Sequence, residues 1–191
     1  MRKRFLGRSG KPDDWRYNGR VGVDCGYKEL LVSSDNRSYD QGLEAQYAKI
    51  SNKKQGSKAF KRALTQRNNL IGQSLNKLDL SGVKELIAED LKNVKHKSKG
   101  KMRKKFMNRL QRWSYPKVLK KLHQMAEEAG ALFTLVNPAY TSQKCCNCGA
   151  ICKSNRVGKV YKCVCGNEMD ADLNAAINLS RMGVYSPHAL Y

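Results

Sequence analysis

Two closely spaced pairs of cysteines constrain the fold of this chain more than any other feature. Cys145 and Cys148 form a C-x2-C pair, and Cys163 and Cys165 form a C-x-C pair that begins after fourteen intervening residues. A glycine follows each pair and lets the backbone turn its amides toward the sulfurs. Two such knuckles predict a small hairpin, a zinc ribbon, that binds Zn²⁺ through four thiolates in tetrahedral geometry.

The second pair is one residue tighter than the usual C-x2-C, so Cys146 and Cys152 stay open as alternative ligands. Four sulfur ligands leave no open coordination position, which indicates a structural rather than a catalytic zinc. Reduced thiols without a metal and a redox role are the alternatives. Seven cysteines are an odd number, which argues against a disulfide framework. Cys25 lies in an apolar run and is predicted to be a small core residue.

The excess of positive charge indicates a polyanionic partner. The 191 residues include 37 Lys and Arg but only 16 Asp and Glu, a net charge of +21. Nucleic acid is the commonest intracellular polyanion, and phosphate contacts dominate its binding. A basic surface that is merely solvated, or that packs on RNA without catalysis, is the alternative. No apolar run reaches the ~18 residues of a membrane span. The basic N-terminus lacks the apolar region of a secretory signal, so we expect a cytoplasmic protein, nucleoid-associated if bacterial.

Hydrophobic periodicity predicts an α/β fold with a mixed sheet and flanking helices. The predicted strands are a hairpin of residues 21–25 and 30–33, followed by residues 83–88 and 131–136. The predicted helices cover residues 57–78, a segment from Pro116 that ends at Gly130, and residues 173–182. Residues 43–50 form an amphipathic patch in an otherwise polar segment.

The few acidic residues lie at the ends of predicted elements. Asp24 ends the first strand, Glu89 follows residues 83–88, and Asp170 and Asp172 lie at the start of the last helix. They converge if the two strands are neighbours and the helix packs alongside. Converging carboxylates are stabilised by divalent cations, and two Mg²⁺ or Mn²⁺ ions about 4 Å apart clamp a phosphodiester for in-line attack. Singly, each acid also fits a structural role: a turn, a surface partner of Lys92, or a helix N-cap.

Residues 91–121 carry thirteen Lys or Arg and no acid. We expect this segment to contact a phosphate backbone, with little sequence information in the contacts; a solvated loop is the alternative. Trp113 and Tyr115 can stack on bases, although packing in the core beside the Pro116 helix is preferred. The candidate nucleic-acid-binding residues are Lys92, Lys95, Lys97, Lys99, Lys101, Arg103, Lys104, Lys105, Arg109 and Arg112.

Several of these segments together resemble one family. VGVDCGYKELLVSS, ELIAEDLKNVK, and YTSQKCCNCG with YKCVCGNEMDADLNAAINL resemble the three RuvC motifs and the zinc ribbon of TnpB, also called OrfB. These are transposon-associated, RNA-guided nucleases related to type V CRISPR effectors. The resemblance runs from about residue 20 to residue 183; its last stretch is highly specific, whereas VGVD alone is weak. It implies a RuvC (RNase H-like) fold with an inserted zinc ribbon that cuts DNA with Mg²⁺.

The resemblance also assigns roles residue by residue. The catalytic, magnesium-binding acids matched by motif are Asp24, Glu89 and Asp172, with Asp170 in support, and the matched zinc ligands are Cys145, Cys148, Cys163 and Cys165. The implied nuclease domain covers residues 20–141 and 169–185, around a ribbon of residues 142–168 and between tails of residues 1–19 and 186–191.

Family members carry a large N-terminal region that binds guide RNA and recognises the motif beside the target. About nineteen residues precede the first RuvC motif here, so we expect the nuclease part alone. The expected partners are DNA and a guide RNA or an RNA-binding protein; the oligomeric state stays open.

Three functions compete at this point. The first is a Mg²⁺-dependent DNA endonuclease domain of the TnpB type. The second is a non-catalytic nucleic-acid-binding relic or regulator, and the third is a zinc-ribbon subunit that completes another protein. The presence of all three acids favours the nuclease, because loss of one carboxylate is the simplest route to a dead enzyme. The short N-terminal region favours the other two over autonomous function.

Overall fold

A five-stranded mixed sheet forms the centre of the fold in the computed structural model, which describes residues 19–27, 29–39, 42–91 and 114–182. The strands lie in the order β3-β2-β1-β4-β5. The first three are antiparallel neighbours, whereas β1 pairs with β4 and β4 pairs with β5 in parallel. Their bounds are Arg20–Asp24 (β1), Val32–Ser33 (β2), Arg37–Ser38 (β3), Glu85–Glu89 (β4) and Leu132–Val136 (β5).

The parallel pairing of β1 and β4 places the acidic strand ends at one edge of the sheet. Val23 lies opposite Ala88, so Asp24 and Glu89 follow at the carboxyl ends of adjacent strands. In α/β sheets this edge is where sites are usually built. The neighbouring strands on which the predicted convergence depended are therefore present.

Helices cover both faces of the sheet because side chains alternate along each strand. Helices α1 (Leu43–Ser51), α2 (Lys58–Leu75) and α3 (Tyr115–Glu128) share the main core with Leu86 of β4. The next residue, Ile87, belongs to a smaller cluster on the opposite side with helix α4 (Ala171–Arg181).

Gly22 in β1 allows α4 to lie directly against the sheet. A Cβ atom at this position would be 2.1 Å from the Ala176 carbonyl oxygen and 2.3 Å from the Ser180 backbone nitrogen. Any side chain would therefore push the helix away. The small residue in the first motif thus fixes how close α4 comes to β1.

A second, three-stranded antiparallel sheet forms the ribbon. Its strands are β6 (Arg156–Val157), β7 (Val160–Lys162) and β8 (Glu168–Asp170), after a 3₁₀ turn at Lys153–Asn155. The last strand runs directly into α4. The predicted hairpin therefore has a third strand, which continues into the helix that carries Asp172.

The predicted α/β class is confirmed, and the differences are local. The helix predicted over residues 57–78 ends at Leu75, and the last helix begins two residues earlier than predicted. The amphipathic patch forms α1, and the short edge strand β3 was not anticipated. None of the described helices combines the length and apolar character that a bilayer crossing demands. The predicted terminal tails, apart from Gly19, lie outside the described residues, as do Trp113 and all ten candidate nucleic-acid-binding residues from Lys92 to Arg112.

Candidate active site and metal centre

Three of the predicted acidic side chains lie at converging ends of separate elements. Asp24 is the last residue of β1 and Glu89 is the last residue of β4. Asp172 lies in the first turn of α4, which packs against β1 on the face that Gly22 leaves open. The pairing of β1 with β4 and the contact of α4 with β1 thus bring these residues, which are far apart in the sequence, near one another.

The electrostatics of Asp24 show that these carboxylates influence one another. Burial, followed by the charges of Glu89 and Asp172, raises the pKa of Asp24 to about 8, against the lowering effect of Arg156. A carboxyl group in this environment resists ionisation near neutral pH unless a cation offsets the repulsion. Carboxylate oxygens are also the donors that Mg²⁺ and Mn²⁺ prefer, so the donor set fits such ions.

Glu89 is held at both its backbone and its side chain. Its carboxylate accepts a hydrogen bond from Thr141 Oγ1, and its backbone carbonyl accepts one from the Tyr115 hydroxyl. Burial raises the pKa of Glu89, and the Thr141 hydrogen bond and the Arg156 charge oppose this rise. Tyr115 is buried and its hydroxyl also accepts from the Leu91 amide at 3.2 Å. Tyr115 is therefore a core residue, as preferred above, and its buried ring is not placed to stack on bases.

Asp170, and not Asp172, supplies the side chain that caps α4. Asp170 Oδ1 accepts from the backbone amides of Asp172 at 2.9 Å and Leu173 at 3.0 Å. This cap explains why the helix begins earlier than predicted. The Asp172 carboxylate instead forms an ion pair with Arg156 of the ribbon, with 2.6 Å between Nη2 and Oδ1.

The carboxylates are more widely spaced than the sulfurs. Among the described residues, only the four predicted cysteines form a group of three or more potential ligands whose donor atoms all lie within 4.8 Å. Within the part of the chain that the structure describes, no three carboxylates therefore come as close together as the four sulfurs do.

The four cysteine sulfurs form a compact cluster that fits zinc. Cys145 Sγ lies 3.7 Å from Cys165 Sγ, and Cys148 Sγ lies 3.6 Å from Cys163 Sγ. Zinc–sulfur bonds of about 2.3 Å in a tetrahedron place the sulfurs about 3.8 Å apart. The side chain of each predicted ligand is therefore in the spacing that zinc requires, despite the shortened second pair.

Tight turns produce this spacing. The amides of Gly149 and Gly166 each donate to the carbonyl of the first cysteine of the pair at 2.9 Å. Both glycines have positive φ, 78° and 86°, which other residues rarely adopt. The glycine after each knuckle thus closes the turn.

The remaining cysteines lie outside the cluster. Cys146 Sγ is 3.5 Å from Met169 Sδ, and Cys152 is exposed with its sulfur 3.0 Å from Ser154 Oγ. Cys25 is buried in the main core, as predicted. Neither Cys146 nor Cys152, the two alternative ligands, therefore belongs to the cluster of four sulfurs.

Polar side chains of α4 attach the ribbon to the rest of the fold. Asn174 Nδ2 donates to the Lys144 carbonyl at 2.8 Å, and its Oδ1 accepts from the Cys146 amide at 3.0 Å. Asn178 Nδ2 donates to the carbonyls of Lys144 at 2.7 Å and Thr141 at 3.0 Å. One face of α4 therefore positions the first knuckle while another face meets β1.

Sequence reasoning gave no site role to Arg156, Thr141, Asn174 or Asn178. The only signal for Thr141, Asn174 and Asn178 was their presence in the quoted family segments, which assigns no contact. Arg156 is one of several bases between the cysteine pairs, and the sequence alone does not distinguish it. These contacts join residues far apart in the chain and require the folded arrangement to be found.

Comparison with known proteins finds similarity over part of the chain. A family model described as Cas12f1-like, TNB domain, matches residues 115–179, about a third of the chain. The protein named CRISPR-associated endodeoxyribonuclease Cas12f1 of Sulfoacidibacillus thermotolerans is 45% identical over 73 residues, which cover 37% of this chain and 17% of that protein. Putative transposase R186 of Acanthamoeba polyphaga mimivirus is 38% identical over 68 residues, which cover 35% and 14% of the two chains.

Solved structures extend the likeness to most of the chain. The Cas12f1 chain in a cryo-EM structure with sgRNA and target DNA matches with a TM-score of 0.59 at 22% identity, over 86% of this chain and 50% of that one. A CRISPR-Cas12f ternary complex matches at 0.56 and 20% identity, over 87% and 39%. The alignments thus span at most half of these relatives, and they confirm the RuvC-like fold. With the ribbon match, they make this chain a relative of the TnpB-like type V effectors.

Proposed function

We propose that this chain is the nuclease part of a TnpB-type protein, a transposon-associated endonuclease that hydrolyses phosphodiesters in DNA with divalent cations. The observation that carries the proposal is the convergence of Asp24, Glu89 and Asp172, whose mutual repulsion contributes to an Asp24 pKa of about 8. A chain of net charge +21 that keeps half-buried carboxylates near one another fits a site for cations and phosphates.

The roles of the residues follow from their supports. Asp24 and Glu89 are fixed at strand ends, and Asp172 is fixed in the first turn of a capped helix. These three would hold Mg²⁺ or Mn²⁺, which when bound would activate a water and stabilise the leaving 3′-oxygen. The rigid elements keep the oxygens in place without a large reorganisation during the reaction.

The cysteine cluster supports a structural role for zinc. Cys145, Cys148, Cys163 and Cys165 would hold Zn²⁺ and so keep the ribbon folded. The ribbon in turn supplies Arg156, whose guanidinium contacts Asp172. Zinc would therefore stabilise one wall of the acidic site without taking part in hydrolysis.

The proposed partners are DNA together with a guide RNA or an RNA-binding protein. Solved relatives hold an sgRNA and target DNA, and the basic segment of residues 92–112 would bind the phosphate backbone here. Guidance by RNA would depend on the guide RNA or on the RNA-binding protein. A protein with these ligands acts where cellular nucleic acid is found, in the cytoplasm or at the nucleoid.

A non-catalytic nucleic-acid-binding function is the second candidate, and one observation favours it. Arg156 occupies the Asp172 carboxylate in an ion pair, and a cation would have to compete with this pair. If the pair persists, the chain binds nucleic acid without cutting it.

Cleavage of a labelled single-stranded DNA in Mg²⁺ or Mn²⁺ tests the two candidates. Wild type, Asp24→Ala and the exposed-acid control Glu44→Gln are compared, with binding measured in parallel. Metal-dependent cutting by wild type and Glu44→Gln, with none by Asp24→Ala, supports the nuclease. Equal binding and no cutting by all three supports the non-catalytic function and contradicts the first proposal.

A further inference from the structure

Thr141 lies beside the acidic site although it is not one of the three acids. It follows β5 after a short turn, and the residue is 4% exposed. Its hydroxyl Oγ1 donates to Glu89 Oε1 across 52 residues of sequence. Tyr140, directly before it, has a φ of 65°, a left-handed conformation that non-glycine residues seldom adopt. The turn is therefore shaped to direct Thr141 inward while Tyr140 stays exposed.

The Thr141 hydroxyl has two possible acceptors but only one proton to donate. Thr141 Oγ1 lies within hydrogen-bond reach of the Glu89 carboxylate and, at 3.1 Å, of the Pro138 carbonyl. The hydroxyl has one proton, so it can donate to one acceptor at a time. An ionised carboxylate is the stronger acceptor, so the proton goes to Glu89 when that group is charged. The branched Cβ of Thr141 then limits the rotation of the hydroxyl.

The backbone of Thr141 is itself held from the opposite side. Asn178 Nδ2 donates to the Thr141 carbonyl at 3.0 Å and to the Lys144 carbonyl at 2.7 Å. Asn178 is only 5% exposed and belongs to α4, the helix that carries Asp172. A continuous set of hydrogen bonds therefore runs from α4 through Thr141 to Glu89.

We propose that Thr141 is a positioning residue that orients the Glu89 carboxylate for cation binding, with Asn178 holding Thr141 in place. The inference rests on the proposed function, because it concerns the site that would bind Mg²⁺. Thr141 contacts neither the cation nor the substrate in this role. It would fix one oxygen of Glu89 and leave the other for the cation.

The chain contains a matched control for this contact. Thr134 of β5 is 6% exposed, and its Oγ1 donates to Glu85 Oε1 of β4 at 2.7 Å. In both pairs a threonine in or just after β5 donates to a glutamate of β4, but Glu85 and Glu89 lie at opposite ends of β4. Thr134→Val thus removes the same type of Thr–Glu hydrogen bond at the end of β4 opposite to Glu89.

The test compares Thr141→Val, Thr141→Ser and Thr134→Val in the full, zinc-loaded chain. Mn²⁺ affinity is measured by calorimetry, and the metal dependence of DNA cleavage is measured beside it. Loss of a group that orients a metal ligand typically costs about 10–100-fold. We expect Thr141→Val to weaken Mn²⁺ binding about tenfold or more, Thr141→Ser to restore most of it, and Thr134→Val to bind as wild type does.

The outcomes separate this inference from the proposed function. Wild-type affinity in Thr141→Val, or an equal loss in Thr134→Val, overturns the positioning role while the nuclease proposal stands. A wild type that neither binds Mn²⁺ nor cleaves contradicts the proposed function. In that case a crystal structure of Thr141→Val decides the inference: a displaced Glu89 carboxylate supports the positioning, and an unchanged one overturns it.

Discussion

Replacing Asp24 by asparagine should stabilise the protein in the absence of divalent cations. Burial and the charges of Glu89 and Asp172 raise the pKa of Asp24 from 3.8 to about 8. The folded chain therefore keeps this proton at pH values where the unfolded chain has released it. Because the folded state binds more protons between these two values, the Asp24 contribution to stability falls as pH rises from about 4 to about 8.

The size of the effect follows from the same shift. Each pKa unit corresponds to about 1.4 kcal/mol, so at pH 7 the shift opposes folding by up to about 4 kcal/mol. Asparagine has the shape of the protonated acid and carries no charge at any pH. We therefore expect Asp24→Asn to raise the free energy of unfolding by about 2–4 kcal/mol at pH 7, and to have little effect near pH 4.

Urea denaturation between pH 4 and 8.5, followed by circular dichroism with zinc retained and no other divalent cation, measures this difference. Glu44→Gln makes the same change in net charge on an exposed part of α1 and serves as the control. Mg²⁺ should then narrow the difference between the two proteins, because a ligand at 100 times its dissociation constant adds about 2.7 kcal/mol to the stability of the wild type. The variant, which lacks one ligand, should gain less.

The reasoning is refuted if Asp24→Asn follows Glu44→Gln at every pH. Such a result would mean that neither burial nor the neighbouring carboxylates raise the pKa of Asp24 in the folded chain. A stabilisation that is equal at pH 4 and pH 8 would contradict it as well, because a packing effect has no reason to follow the titration of an acid.

Three further predictions concern the supports of the site. Chelation of zinc should unfold the ribbon. Cys148→Ser should lower the zinc content, measured by mass spectrometry of the purified chain, whereas Cys152→Ser should retain one zinc. Equal zinc contents in the two variants would contradict the ligand assignment. Gly22→Ala should destabilise the fold by about 3 kcal/mol, whereas Gly72→Ala, in α2 with nothing within 4 Å of the new Cβ, should stabilise it by about 0.5–1 kcal/mol; urea unfolding compares the two. Asp170→Ala should cost about 1 kcal/mol more than Asp170→Asn, since both remove the charge but only asparagine keeps the cap, and equal melting temperatures would contradict the cap.

Local patterns in the sequence predicted most of the fold. Alternating or continuous apolar runs located β1, β4 and β5, and start and stop signals such as Pro116 and Gly130 located α3. The glycine of each knuckle has the positive φ expected of it. These features depend on residues that lie close together in the chain, which is why the sequence reveals them.

Features that depend on distant residues could not be predicted in the same way. Nothing local indicates that Glu85 lies opposite Arg20, or that Thr141 reaches Glu89. Helix α1 was described only as a patch, because its polar surroundings and nine-residue length give a weak signal. The end of α2 at Leu75 rather than at residue 78 reflects the burial of Leu78 in a non-helical turn.

Helix α4 connects the acidic site to the cysteine cluster, and this connection has a physical consequence. Gly22 lets the helix lie against β1, which brings Asp172 toward Asp24. Asn174 and Asn178, four residues apart on one face of the helix, hold the first knuckle of the ribbon. Arg156 of the ribbon forms an ion pair with Asp172. Thr141, in the segment that leads into the ribbon, donates a hydrogen bond to Glu89. Loss of zinc should therefore disturb the carboxylates through these contacts, although no cysteine sulfur belongs to the acidic site.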